Sequence, residues 1–315
     1  MQSYEIFFIN LSKSDFFFFV IFNILFILQS WDYKIFSIIF APRKIQIMTQ
    51  NKIYNITASL VLYKNDIEEV KKAISSLLNT ELSIKLFLVD NSPEDALKVL
   101  SDFDSRLEYI FNGKNLGYGK ANNLIINKVL QNTEYHLVMN PDVYFEKGTL
   151  EALYSFMQAN EDIGLTMPRV YHYDGTEQKL CKLLPTPKDL IIRRFIPDGK
   201  YKDKISRTYN MWDADYDNQM DVPFLSGSFM FMRASILAEV KGFDERFFLY
   251  CEDLDLCRRI RQKSRTVYYP GAKIYHGYQK ASYLNTKLML IHSLSAIKYF
   301  NKWGWIFDKE RRRLM

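Results

Sequence analysis

Asn140-Pro141-Asp142 follows the predicted strand His136–Met139, so a carboxylate stands just past the end of a buried strand. Hard oxygen ligands suit Mg2+ or Mn2+, and such an ion can hold a diphosphate. The same tripeptide also closes a strand as a plain Asx turn. Glu252, Asp253 and Asp255 open a predicted helix running to about Lys263. An Asp projecting from that end into a cleft can take a proton from a hydroxyl. It can equally do no more than complement the helix dipole, worth about 0.3–1 kcal/mol. His276 ends a short predicted strand and becomes a metal ligand only if the fold brings it to Asp142.

Other patterns exclude functions. Gly117-Tyr118-Gly119-Lys120-Ala121-Asn122 has Asn122 where a dinucleotide loop needs its last glycine, and no acidic residue follows at the right distance. NAD binding is rejected, and the glycines are read as a tight turn approaching a ligand. Asp213, Asp215, Asp217 and Asp221 fit part of a calcium loop, but Asn218 and Phe224 replace its glycine and its closing glutamate. Cys181, Cys251 and Cys257 are too few for a disulfide scaffold, lack the partners of a structural zinc site, and point to a reducing compartment. The net charge of +6 is too mild for a nucleic-acid binder, and no recognition helix or RNA-binding signature is present. Arg258, Arg259, Arg261, Lys263 and Arg265 read as a solvated helix face, or as a site for phosphate or a lipid headgroup.

The elements that must position these residues alternate. Ile56–Tyr63 is an apolar, β-branched strand, and Asp66 caps a helix with Ile67, Val70, Ile74, Leu77 and Leu78 on one face. Strand Ile84–Val89, a helix around Asp95–Leu100, strand Leu107–Phe111, the loop Gly113–Gly119, a helix to about Leu130 and strand His136–Met139 follow. Such alternation implies an α/β fold, a mostly parallel sheet with helices on both faces, and ligands bound past the carboxyl ends of the strands. Polar residues stand at those ends: Tyr63, Lys64 and Asn65, then Asp90 and Asn91, Asn112 to Asn115, and Asn140 with Asp142. Residues Tyr171–Asp221 lose the period and read as an inserted loop region, a candidate lid. Two short strands are expected near Thr266–Tyr269 and Lys273–Tyr275. A helix over Tyr283–Phe307 carries Leu288, Ile291, Leu294, Ile297 and Phe300 along one face, with Trp303, Trp305 and Arg311-Arg312-Arg313 at its border.

The first 47 residues differ in composition, holding ten of the 24 Phe. The apolar run Phe16–Leu28 is shorter than the roughly 20 residues of a spanning helix, and the flanks do not suit a secretory signal. The segment reads as a membrane anchor extended through Ile35–Phe40, as a tail lying on a membrane, or as non-native sequence upstream of a start at Met48.

Taken in order, these pieces resemble glycosyltransferase family 2, the inverting GT-A enzymes, and within it the bacterial rhamnosyltransferase-like branch. The likeness is carried by Ser59–Asn65, Leu88–Ser92, Asn115–Asn123, Leu137–Asp142, Leu225–Arg233, Gly242–Phe248, Tyr250–Arg258 and His276, and spans about Ile56 to Ser282. It implies a GT-A catalytic domain, placed over residues 48–280 with the inserted loop region at about 171–222; residues 281–315 are read from their pattern as a basic amphipathic C-terminal helix. By the same resemblance, Asp90 pairs with the nucleotide base in a pocket that Tyr63 and Asn65 line. Asn115, Gly117, Asn140 and Asp142 complete the donor site, Asp142 and His276 hold Mg2+ or Mn2+, and Asp253 is the catalytic base. The donor would be a nucleotide sugar, in the rhamnosyltransferase-like branch dTDP-rhamnose. The acceptor would be a saccharide or undecaprenyl-linked glycan in O-antigen or capsule synthesis, met by a cytoplasmic protein peripheral on the inner membrane. Asn140 replaces the first acid of the family's usual Asp-x-Asp, which implies weak metal binding until the diphosphate completes the site. Two rivals are a sugar nucleotidyltransferase, which lacks its required glycine-rich loop after Leu62, and a non-catalytic, membrane-associated assembly partner.

Overall fold

A computed structural model describes residues 53–190, 197, 199–277 and 286–313, all within the unit Lys52–Met315. The expectations for residues 1–47 lie outside them. Strand β1 (Tyr54–Leu62) is apolar and β-branched because both its faces are covered. It pairs in parallel with β2 (Ile84–Asp90) and β4 (Thr133–Met139), and β2 pairs in parallel with β3 (Leu107–Phe111). Helix α1 (Ile67–Leu78) packs Val70, Ile74 and Leu77 with Leu86 and Leu88 of β2. Helix α2 (Tyr118–Val129) packs Ala121, Ile125 and Val129 with Phe87 and Val89. Alternate residues of β2 thus face different helices, which places a helix on each side of the sheet, as expected. Asp66 caps α1, its Oδ1 accepting the amides of Glu68 and Glu69 at 3.0 and 3.1 Å.

Beyond β4 the sheet is mixed. The order is β3-β2-β1-β4-β8-β6-β9-β5, with β5 (Val143–Tyr144), β6 (Ile163–Tyr171), β8 (Phe229–Arg233) and β9 (Arg265–His276). Strand β8 runs antiparallel to both β4 and β6 and lies between them, while β6 and β9 are parallel. β7 (Met220–Asp221) and β5 flank β9 antiparallel. The two strands expected at 266–275 are one strand with a register shift between Tyr269 and Lys273, where Pro270 has no amide to donate. The helix expected near Asp95–Leu100 is a short 3-10 turn, Lys98–Asp102. Helices α3 (Thr149–Ala159) and α5 (Ala234–Glu239) cover the second half.

The stretch read as an irregular insertion holds helix α4 (Lys200–Tyr209) and buries Cys181 and Leu184 in the main core. Helix α6 (Glu252–Arg261) precedes β9. The C-terminal helix α7 (Thr286–Trp303) stops at Gly304, whose φ of +101° favours glycine, and a short α8 (Lys309–Arg313) follows. The expected apolar stripe is divided between inside and outside, since Phe300 belongs to it. Ser295, Tyr299 and Phe300 are buried, whereas Leu294 and Ile297 face solvent.

One polar cluster inside the sheet is a pH-sensitive element of the core. His136 is buried between Thr57 Oγ1 at 2.9 Å and Ser59 Oγ at 3.0 Å, and burial pushes its pKa down to about 3. Its folded pKa lies below that of the unfolded chain, near 6.5. Its contribution is therefore whole above about pH 6.5 and is lost as pH falls toward 3. The melting temperature of wild type should drop more steeply over that window than that of His136→Gln; equal slopes would show that His136 stays neutral for another reason.

Candidate active site

The carboxyl ends of β1, β2 and β3 form one polar wall, since the register sets Leu62 beside Asp90 and Asp90 beside Phe111. Asp90 is fully buried, its Oδ1 accepting the Ser92 amide at 2.8 Å and its Oδ2 the Tyr109 hydroxyl at 2.7 Å. The same hydroxyl stands 2.8 Å from Asp95 Oδ1. Burial, with both carboxylates added, pushes the Tyr109 phenol far up, so it remains a donor. Tyr63 is exposed at the end of β1, and its amide donates to Asn65 Oδ1 at 2.8 Å. Asn112 donates to Asn91 at 2.9 Å, Asn91 to the Gly117 carbonyl at 3.2 Å, and the Gly117 amide to Asn115 Oδ1 at 2.9 Å. Asn65 and Asn115 thus shape their loops with the oxygens that a ligand would otherwise meet. Gly117 has φ +85°, and a Cβ there would run into the Phe248 carbonyl oxygen, to which the Tyr118 amide donates at 3.0 Å.

Asp142 and His276 are brought together by the β5–β9 pair, which sets Val143 opposite His276. Asp142 Oδ2 lies 3.5 Å from His276 Nε2. Gln178 Nε2 donates to the His276 carbonyl at 2.6 Å, so its Oε1, 3.1 Å from His276 Nδ1, accepts the ring proton there. Burial pushes the His276 pKa down to about 4 and raises that of Asp142. The ring is therefore neutral at pH 7, with the acceptor Nε2 facing the carboxylate. Two acceptors so placed, with the tautomer fixed from behind, fit a divalent cation. Among the described residues no group of three or more His, Cys, Asp or Glu could hold a metal, so these two would supply only part of a coordination shell.

Asp253 lies in the first turn of α6. Its Oδ2 accepts the Gly227 amide at 2.9 Å and its Oδ1 the Leu254 amide at 2.8 Å. Tyr118 joins the two halves: its hydroxyl is 3.1 Å from Asn140 Oδ1 and 2.9 Å from the Gly227 carbonyl. Burial first, then the charges of Glu252, Asp253 and Asp142, keeps that phenol protonated. A Cβ at Gly227 would come within 2.8 Å of the Asp253 Cβ. Gly227→Ala should therefore displace the Asp253 segment and lower the melting temperature; a melting temperature equal to that of wild type would show that the contact is not tight.

The turn before α6 is strained, with Tyr250 and Cys251 both left-handed at φ 68° and 65°. The C-terminal helix braces it. Ser295 donates to the Leu249 carbonyl and Lys298 to that of Arg246, each at 2.8 Å, and His292 lies against the Tyr250 ring. Lys302 pairs with Asp244 and Asp255, and Trp303 donates to Asp255 at 2.8 Å. Asp255 is thus fully buried in a structural network. The basic run is only in part the solvated face expected, since Lys263 and Arg265 stay exposed to solvent. Arg258 is buried against Asp308 and Glu310, Arg259 against Asp255, and Lys263 and Arg265 pair with Glu239, Asp162 and Asp221. Sequence reasoning singled out neither Tyr109 nor Gln178 and gave Tyr118 no role, because their parts depend on distant partners and follow no local spacing.

A model of glycosyl transferase family 2 matches residues 60–240, more than half of the chain. The chain belongs to that family. It is 27% identical over 229 residues to the N-acetylglucosaminyl-diphospho-decaprenol L-rhamnosyltransferase of Mycobacterium tuberculosis, covering 66% of this chain and 71% of that one. It is 25% identical over 240 residues to the rhamnosyltransferase WbbL of Escherichia coli K12, covering 73% and 87%. Among solved structures, the family 2 chain resembles Staphylococcus aureus TarS with TM-score 0.52 and 15% identity, over 78% of this chain and 40% of that one. It resembles GalNAc-T7, crystallised with UDP, GalNAc and Mn2+, with TM-score 0.55 and 10% identity, over 80% and 50%. These likenesses bear out the GT-A fold. The chain is a family 2 glycosyltransferase of the rhamnosyltransferase-like kind.

Proposed function

We propose that the protein is an inverting, metal-dependent glycosyltransferase that moves rhamnose from dTDP-rhamnose onto an undecaprenyl-linked saccharide. It would work at the cytoplasmic face of the inner membrane, in O-antigen or capsule synthesis. The observation that carries the reading is the pair Asp142 and His276, with His276 Nε2 turned toward the carboxylate at 3.5 Å, joined through Asn140, Tyr118 and Gly227 to Asp253. The two named rhamnosyltransferase relatives support the sugar, and the decaprenol in one of their names supports a lipid-linked acceptor.

Asp90, backed by Tyr109, would accept from the nucleobase at the floor of the pocket that Tyr63 borders. Asp142 and His276 would hold Mg2+ or Mn2+, which when bound neutralises the departing diphosphate, so no side chain need protonate it. Asp253, both oxygens oriented by backbone amides, would take the acceptor hydroxyl proton as the oxygen attacks the far side of the anomeric carbon, a step contributing about 10²–10⁴-fold.

Thermal shifts of the protein with nucleoside diphosphates and nucleotide sugars, with and without Mn2+, test this, since a ligand of the folded state raises apparent stability. A metal-dependent shift with dTDP compounds is expected. A shift confined to UDP or GDP compounds would overturn the rhamnose donor and keep the mechanism; no shift with any nucleotide would overturn the enzyme reading.

A further inference from the structure

Helix α7 presents two faces of different character. Ser295, Tyr299, Lys302 and Trp303 turn inward to the α6 segment. On the other side Leu290, Leu294 and Ile297 are spaced four and three residues apart, so they line one face, and Leu290 is 59% exposed. Trp305 prolongs that face by donating from Nε1 to Asn301 Oδ1 at 2.8 Å, one turn beyond Ile297. Beyond it Ile306 and Phe307 are 72% and 82% exposed. Large apolar side chains this exposed and contiguous mark a surface that meets something.

The charges beside the stripe select the partner. On α8, Arg311 turns inward to the Pro185 carbonyl, which leaves Lys309, Arg312 and Arg313 on the exposed side. Glu310 is drawn back toward Arg258 and Gln262, and Asp308 is buried against Arg258. Helix α7 contains no acidic residue. The outer surface is therefore apolar and aromatic with a cationic border, the pattern of an element lying in a membrane interface. A second copy set against it would oppose like charges, which is unfavourable. No helix among the described residues is long and apolar enough to cross a membrane, so the element would lie on the surface.

We infer that this face, Leu290, Leu294, Ile297 and the Trp305–Phe307 tip bordered by Lys309, Arg312 and Arg313, docks the protein on an anionic lipid surface. The inference gives residues to the membrane contact and rests on the reading that the acceptor is lipid-linked. The geometry adds a functional consequence. The helix that carries the stripe also braces the Tyr250–Cys251 turn through His292 and Ser295, so docking would set the base segment beside the bilayer that delivers the acceptor.

A local probe tests it on the full chain. The native Cys181, Cys251 and Cys257 are all buried, so Phe307→Cys can be labelled with an environment-sensitive fluorophore, with Val99→Cys, on the exposed 3-10 turn, as the reference position. Vesicles containing phosphatidylglycerol should blue-shift and brighten the label at 307 and leave the label at 99 unchanged, whereas pure phosphatidylcholine should do far less. Arg312→Gln with Arg313→Gln should weaken the vesicle affinity roughly 30-fold, about fivefold for each charge removed. No response at 307, an equal response at 99, or a change that follows protein concentration without vesicles would overturn the proposal, the last in favour of self-association. Transfer to a soluble acceptor should be unchanged in the Phe307→Cys and arginine variants, so loss of docking and failure of the enzyme reading give different results.

Discussion

Asp253→Asn is expected to abolish sugar transfer while leaving donor affinity nearly intact. The substitution preserves the shape of the side chain and an oxygen able to accept the Gly227 amide, so the loop 225–228 should hold its place, while the Leu254 amide at the start of α6 loses its acceptor. What disappears is the ability to take a proton. A general base contributes about 10²–10⁴-fold, and the loss should fall on kcat while the KM for the donor stays put. Transfer within tenfold of wild type would remove Asp253 from the role of base. Glu252 would then be the next residue to test: it is buried beside Asp253, and burial together with that charge raises its pKa.

His276→Ala should weaken metal-dependent donor binding by about 100-fold or more, with donor binding in the absence of metal unaffected. Among the described residues, Asp142 and His276 are the two groups proposed to hold the ion, so the loss of the ring would leave Asp142 without its partner there. Gln178→Ala provides the graded control. Gln178 touches the ring from behind and fixes its tautomer, and groups in that position typically matter 10–100-fold for metal affinity. The measurement is a titration of Mn2+ into protein and nucleotide. If His276→Ala binds metal and nucleotide as wild type does, His276 is a buried core residue and no more.

The half of the fold that runs from β1 to β4 was legible because each buried strand ends abruptly in polar residues, as at Val89-Asp90-Asn91 and Met139-Asn140-Pro141-Asp142. The sequence also placed Asp142, Asp253 and His276 correctly at element ends, which the structure brings to one region through β5–β9 pairing and the Tyr118 bridge. What escaped was long-range in origin. Tyr109 matters because β3 lies beside β2, and Gln178 because the stretch read as a loop returns to His276. In the C-terminal helix only part of the expected stripe is buried. Apolar periodicity reports which residues share a face, but here the buried face is secured by Ser295, Lys302 and Trp303, which carry polar groups to buried partners, while part of the apolar stripe stays outside. The arginine run of α6 likewise gives no local sign that Asp308 and Glu310 lie across from it.

The most direct test of the central claim is the configuration of the new glycosidic bond. The protein would be incubated with dTDP-rhamnose, Mn2+ and a lipid-linked saccharide acceptor, and the anomeric configuration of the product read by NMR. A single displacement from the far side of the anomeric carbon, with Asp253 as base, requires the product to carry the configuration opposite to that of the donor. A product that retains the donor configuration would contradict the account.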